Sequence, residues 1–166
     1  MRVPPRLRFA LKRSAERALG PFFAPLSFFR IAGGFPTVEL VIDGYPRSAN
    51  TFLVLAVESA FPGISILHHV HSATAVSYAA RRGIPAVVPV RSPADAVASY
   101  CQRYPRIPVA LALEEYRRFH CRVLRRRSVC EIVPFEEIVS DVASVLERVG
   151  RLVDRSPPAG CTGRTI

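Results

Sequence analysis

Two stretches of this sequence combine fixed positive charge with small hydroxyl and amide side chains, residue types that hold phosphate-like anions. The first is GYPRSANTFL, Gly44 to Leu53, which follows the apolar run TVELVID and leads into LVLAVESA. A strand, a short turn and a helix are predicted there. The first N–H groups of a helix have no internal partner, and the helix dipole is positive at that end. An anion docks readily at such a place. Arg47 adds a fixed charge, Ser48 and Thr51 add hydroxyl donors, and Ala49 and Asn50 are small enough for a ligand to approach the backbone. The plain alternative is that Ser48 or Asn50 simply caps the helix.

The second stretch is VRSPADAVASY. Arg91 closes an apolar run, Ser92 sits where an N-cap belongs, Pro93 suits the first helical position, and Asp95 follows the cap by three residues. That is a capping box, so Asp95 has a sufficient structural role. Ser99 lies four residues beyond Asp95, on the same helix face. Arg91 and Ser99 are therefore expected to converge near the strand's carboxyl end and to suit a second phosphate. A salt bridge for Arg91 and plain packing for Ser99 are the alternatives. A third group, His68, His69 and His71, ends another apolar run, ILHHVHS. If the strand persists, His69 and His71 share one side and His68 takes the other. Two histidines at that spacing, with no third ligand nearby, give little reason to expect a metal.

The elements that must place these groups follow from hydrophobic patterning. Strands are predicted over residues 37–43, 64–68, 85–90 and 128–135. Helices are predicted over 51–60, 72–82 with Gly83 as the C-cap, 93–103, 109–127 and 136–153. In the last helix Ile138, Val142, Val145, Leu146 and Val149 form one face. Four alternations of strand and helix imply an α/β fold, a three-layer sandwich with a mostly parallel sheet and helices on both faces. Ligands of such sheets sit at the carboxyl ends of the strands.

The chain's 166 residues suit one domain, and its net charge of +10 favours an anionic ligand or surface. The charge is almost all arginine, with Lys12 the one lysine. No exposed aromatic pattern or recognition helix points to a specific nucleic-acid partner. Residues 1–36 form a basic then apolar leader. Its apolar part, residues 18–29, holds two prolines and is too short to span a bilayer. It is expected to cover the core, and peripheral contact with a membrane or acidic partner is the other reading. The domain proper is expected over 37–154, and the tail from Arg155 has no period and is expected to be disordered. Cys101, Cys121, Cys130 and Cys161 match no zinc spacing. They are expected to be free thiols in a reducing compartment, the cytoplasm.

Taken together, GYPRSANTFL resembles the 5′-phosphosulfate loop of sulfotransferases, P-K/R-S-G-T-T-W/F-L, and VRSPADAVASY resembles their 3′-phosphate motif, R-x-P-x-D-x-x-x-S. The likeness runs from about Val38 to Glu137, and two motifs in order are far more specific than one. The resemblance implies a P-loop-like sulfotransferase core and 3′-phosphoadenylyl sulfate as the sulfate donor, with no metal. It implies that Arg47 neutralises charge on the oxygen released from sulfur. Ser48, Ala49, Asn50 and Thr51 would line the 5′-phosphate cradle, and Arg91 and Ser99 would hold the 3′-phosphate. His69-Val70-His71 resembles the family's K-x-H, which makes His71 the expected base for a small-molecule or carbohydrate hydroxyl or amine acceptor. Phe135-Glu136-Glu137 resembles a weaker Y/F-E-D/E element. Ala49 stands for the usual glycine and Asn50 for a threonine, and the family's C-terminal R-K-G-x-x-G element has no counterpart here. A truncated or impaired relative that only binds nucleotide, and a basic module for polyanions or membranes, are therefore the alternative readings. A magnesium-dependent kinase would need a Gly-Lys-Ser/Thr loop and a strand-end aspartate, and neither is read in the sequence.

Overall fold

A computed structural model describes residues 37–157. The leader, residues 1–36, and the tail from residue 158, with Cys161, lie outside the described residues.

Four short strands, β1 (Leu40–Ile42), β2 (Ile66–His68), β3 (Ala86–Val90) and β4 (Glu131–Pro134), form one sheet in the order β2-β1-β3-β4. All three pairings are parallel. The helices are α1 (Asn50–Ala60), α2 (Ala73–Arg82), α3 (Pro93–Arg103), α4 (Val109–Leu124), α5 (Phe135–Ser140) and α6 (Val142–Leu152), with a single 3₁₀ turn at Arg127–Val129. The two central strands, β1 and β3, are continuously apolar because both faces are covered. Leu40 and Ile42 point into a core shared with Leu53, Val57, Ile138, Val145 and Val149 of α1, α5 and α6. Val41 and Val88 point the other way, toward α2, α3 and α4. The described residues thus form an α/β unit with an all-parallel four-stranded sheet between two helical layers.

The predicted strands are each trimmed by the structure, and two helices differ more. The helix expected over 109–127 ends at Leu124 and gives way to the 3₁₀ turn. The helix expected over 136–153 is two helices, because Asp141 leaves helical geometry (φ −146°, ψ 64°) and caps α6 by accepting a bond from Ser144 N–H. The apolar face runs on across the break, which is why periodicity alone joins the pair. Arg155, expected to open a disordered tail, is instead hydrogen-bonded to the Glu39 carboxylate. Cys101, Cys121 and Cys130 are free thiols.

In this strand order the chain leaves β1 toward β2 and returns on the other side of β1 to form β3. The order reverses between β1 and β3, and the loops leaving their carboxyl ends flank a crevice there, the usual ligand position in such sheets.

Candidate functional site

The loop after β1 is built around a close approach. A Cβ on Gly44 would lie 2.5 Å from the Pro89 carbonyl oxygen, so only glycine lets this loop lie against β3. Asn50 then holds the loop from within. Its Oδ1 accepts from Gly44 N–H at 2.6 Å, and its Nδ2 donates to the Tyr45 carbonyl at 3.0 Å. Asn50 is buried. Its side chain, expected to hold phosphate, is thus engaged by the loop's own backbone.

Between these anchors the backbone takes an unusual path. Arg47 (φ 70°) and Ala49 (φ 63°) are both left-handed, a conformation costly for residues with a Cβ. Alanine therefore carries strain at position 49. Ala49 is the N-cap of α1 and makes no side-chain cap bond, so neither Ser48 nor Asn50 caps the helix. Ser48 is fully buried, and its Oγ has no hydrogen-bond partner among the described residues.

The stretch after β3 folds as its capping box predicts. Ser92 Oγ accepts from Asp95 N–H at 3.2 Å and donates to the Asp95 carboxylate at 2.7 Å. Arg91 projects back over the first loop, where a guanidinium N–H donates to the Arg47 carbonyl at 3.2 Å. Its guanidinium also lies 4.3 Å from the centroid of the Phe135 ring, a cation–π stack that fixes its plane. Ser99 differs from expectation. Its Oγ accepts from Arg47 Nε at 3.0 Å, so it orients the first arginine rather than joining Arg91.

A cleft of about 580 Å³ opens at this edge. Arg47, Ala49, Asn50, Thr51, His71 and Arg91 line it, so six of the eight expected site residues face one space, and His69 lines it beside them. Ser48 lies buried beneath the loop and Ser99 acts through Arg47. Sequence reasoning missed Phe52, Tyr100, Arg103 and Tyr104, which also line the cleft. The spacing of the last three, i, i+3 and i+4 on α3, was the available signal.

The histidines reach the cleft by a route the sequence did not suggest. β2 ends at His68, and His69 (φ 56°) and His71 (φ 51°) are left-handed. His69 Nε2 lies 2.9 Å from Thr51 Oγ1, and its Nδ1 contacts His68 Nδ1. Burial, aided by His69, holds the His68 pKa below the ordinary histidine value. His71 is set by Asp43, a fully buried carboxylate just past β1 that the sequence reading overlooked. The Asp43 oxygens accept from the backbone N–H groups of His71 (2.8 Å) and Ser72 (3.0 Å). A strand-end aspartate therefore does exist, but it serves to anchor the β2–α2 turn. His71 Nδ1 lies 3.0 Å from the Gly44 carbonyl. A carbonyl only accepts, so Nδ1 carries a proton and the basic lone pair of the neutral ring is on Nε2.

Beneath both loops lies an aromatic plinth. Tyr45 packs edge-on against Tyr100 and Tyr116, with centroids 5.6 and 5.1 Å apart, and donates to the Ala112 carbonyl at 2.9 Å. Tyr116 donates to the Arg91 carbonyl at 2.7 Å. His120 is half-buried against Tyr116, and burial lowers its pKa. This cluster joins the first loop, the end of β3, α3 and α4 into one support.

Comparison with protein-family models finds no matching family, and comparison with curated proteins finds no match.

Proposed function

We propose that this protein is a sulfotransferase that binds 3′-phosphoadenylyl sulfate in the cleft between β1 and β3 and passes its sulfuryl group to a hydroxyl or amine acceptor. The observation that carries the reading is that Arg47 and Arg91, from different strand ends, meet across one cleft with a guanidinium–carbonyl bond between them. A ligand with one phosphate needs one such arginine, whereas a donor with separate 5′ and 3′ anions uses both.

The residues suit that ligand. The first turn of α1 has no side-chain cap, so its N–H groups are available to an anion. The orphaned Ser48 hydroxyl beneath it is a donor that a small rearrangement of the strained loop would bring to the same anion. Arg47 and Thr51 would hold the 5′ end and Arg91 the 3′-phosphate, with Ser99 keeping Arg47 in place. The donor supplies a sulfuryl group on a phosphate leaving group. His71 Nε2 takes the proton of the acceptor, and Arg47 neutralises the negative charge that gathers on the departing phosphate oxygen.

Thermal unfolding in the presence of adenosine 3′,5′-bisphosphate, adenosine 5′-phosphate or ATP with magnesium tests this reading. A rise in Tm selective for the bisphosphate is expected, by ligand linkage. An equal response to all three would overturn it. With a labelled donor, His71→Ala is expected to lose turnover while the bisphosphate response persists; full turnover in that variant would remove His71 from the role of base.

A further inference from the structure

The edge of the sheet opposite the cleft carries a second concentration of positive charge. Because the strands are parallel, α2 and α4 both end where the next strand begins, at the amino edge. The last turn of α2 contains Arg81 and Arg82, the last turn of α4 contains Arg122, and Arg125, Arg126 and Arg127 follow in a row. All six are exposed. The two helix ends are neighbours: α2 packs on α4, Cys130 Sγ donates to the Arg126 carbonyl at 3.3 Å, and Cys130 also packs among Ala79 and Ile84.

None of the six arginines forms an ion pair among the described residues. The helix dipole accounts for cations in a last turn. It does not account for three consecutive arginines past the helix end. Leu124, between Arg122 and Arg125, and Val129, two residues past Arg127, are 55% and 48% exposed. Aliphatic side chains set among arginines match the interface of an anionic bilayer, where charges meet headgroups and apolar side chains enter the acyl boundary. A nucleic-acid surface would instead favour exposed stacking aromatics among the charges, whereas Tyr78, beside this patch, is half-buried with the Arg82 guanidinium 5.6 Å from its ring centroid.

We infer that this amino-terminal edge of the sheet is a docking surface for anionic lipid membranes. The bound orientation turns the cleft, at the opposite edge, away from the bilayer. The inference is independent of what the cleft binds.

Sedimentation of the full chain with phosphatidylcholine vesicles, with and without phosphatidylserine, tests it. Binding is expected only with phosphatidylserine and is expected to weaken as salt rises. The triple variant Arg125→Gln, Arg126→Gln, Arg127→Gln is expected to bind roughly a hundredfold more weakly, at roughly fivefold per charge. Its Tm response to adenosine 3′,5′-bisphosphate is expected to match the parent, which separates this surface from the cleft. Arg2→Gln, Arg6→Gln, Arg8→Gln and Arg13→Gln together are expected to leave most vesicle binding in place. Loss of binding in that variant with none in the triple variant would overturn the inference, as would binding of RNA or heparin without vesicles. Hydrogen exchange on the unaltered chain gives an answer that needs no variant. Vesicles are expected to protect residues 122–129 and 81–84, and protection confined to the cleft or to residues 1–36 would also overturn it.

Discussion

The turn after β1 and the turn after β3 lie side by side, and each carries a strand into a helix, yet their side chains are used in opposite ways. After β3, Ser92, Pro93 and Asp95 satisfy the start of α3 from within the sequence itself, and only Arg91 is left to look outward. After β1, nothing caps α1, Arg47 and Ala49 are left-handed, and Ser48 is buried with its hydroxyl unmatched. Asn50 holds this turn together from inside. A segment that leaves its donors unmet while its shape is fixed by buried bonds is preorganised for something it does not itself contain. The second turn is finished as folded, and contributes one charged arm.

The comparison is broken most severely by removing the internal staple. Asn50→Ala leaves Gly44 N–H and the Tyr45 carbonyl buried without their bonds, at about 1–3 kcal/mol for each group. Chemical denaturation is expected to show a loss of about 3 kcal/mol, together with loss of the bisphosphate response. If stability holds and only the ligand response disappears, Asn50 is a ligand contact after all. Next in size, Arg91→Ala is expected to weaken adenosine 3′,5′-bisphosphate binding by roughly ten- to hundredfold, the worth of a charge-assisted bond. Its effect on stability is expected near 1 kcal/mol, from the Phe135 stack. Isothermal titration separates the two, because adenosine 5′-phosphate binding should hardly change.

These two residues also mark how far the sequence could be read. The layers, the parallel sheet and the Ser92 box were legible because each depends on neighbours within a few residues. Arg47 and Arg91 were legible as a pair because the strand-turn-helix order puts both at one sheet edge. The use made of Asn50 was not, since a small amide beside a phosphate loop suits a ligand contact as well as a staple, and only the approach of Gly44 to Pro89 decides. Ser99 was assigned to the wrong arginine because its partner is 52 residues away. Asp43 reads as the polar end of an apolar strand until the β2–α2 turn, 28 residues on, places its N–H groups over the carboxylate. His120 looks solvated among arginines, but Tyr45 of the distant first loop packs on it together with Tyr116 of its own helix.

A smaller perturbation sharpens the contrast from the other side. Ser92→Ala removes a working N-cap and is expected to cost about 1 kcal/mol. Bisphosphate affinity is expected to stay within twofold of the parent, since Ser92 is spent on Asp95 (roughly the error of a titration, well under 1 kcal/mol). A drop comparable to that of Arg91→Ala would mean that the turn after β3 is also a ligand surface, and the distinction between the two turns would fail.

The smallest expected effect is the most discriminating, because its sign differs between the two regions. Ala98 is an exposed residue in the middle of α3, where replacement by glycine costs about 1 kcal/mol in backbone entropy. Ala49 is left-handed at φ 63°, ψ 20°, a conformation that costs an alanine about 1–2 kcal/mol and a glycine almost nothing. Against that relief stand the greater entropy of glycine in the unfolded chain and the loss of a methyl that packs partly on the core beside α1. The balance favours Ala49→Gly by about half a kcal/mol, so the same substitution stabilises one turn and destabilises the neighbouring helix. Paired denaturation curves for the two variants measure this directly. If Ala49→Gly instead loses as much as Ala98→Gly, the first loop is not held left-handed in solution, and the strain that sets it apart from the second is not there.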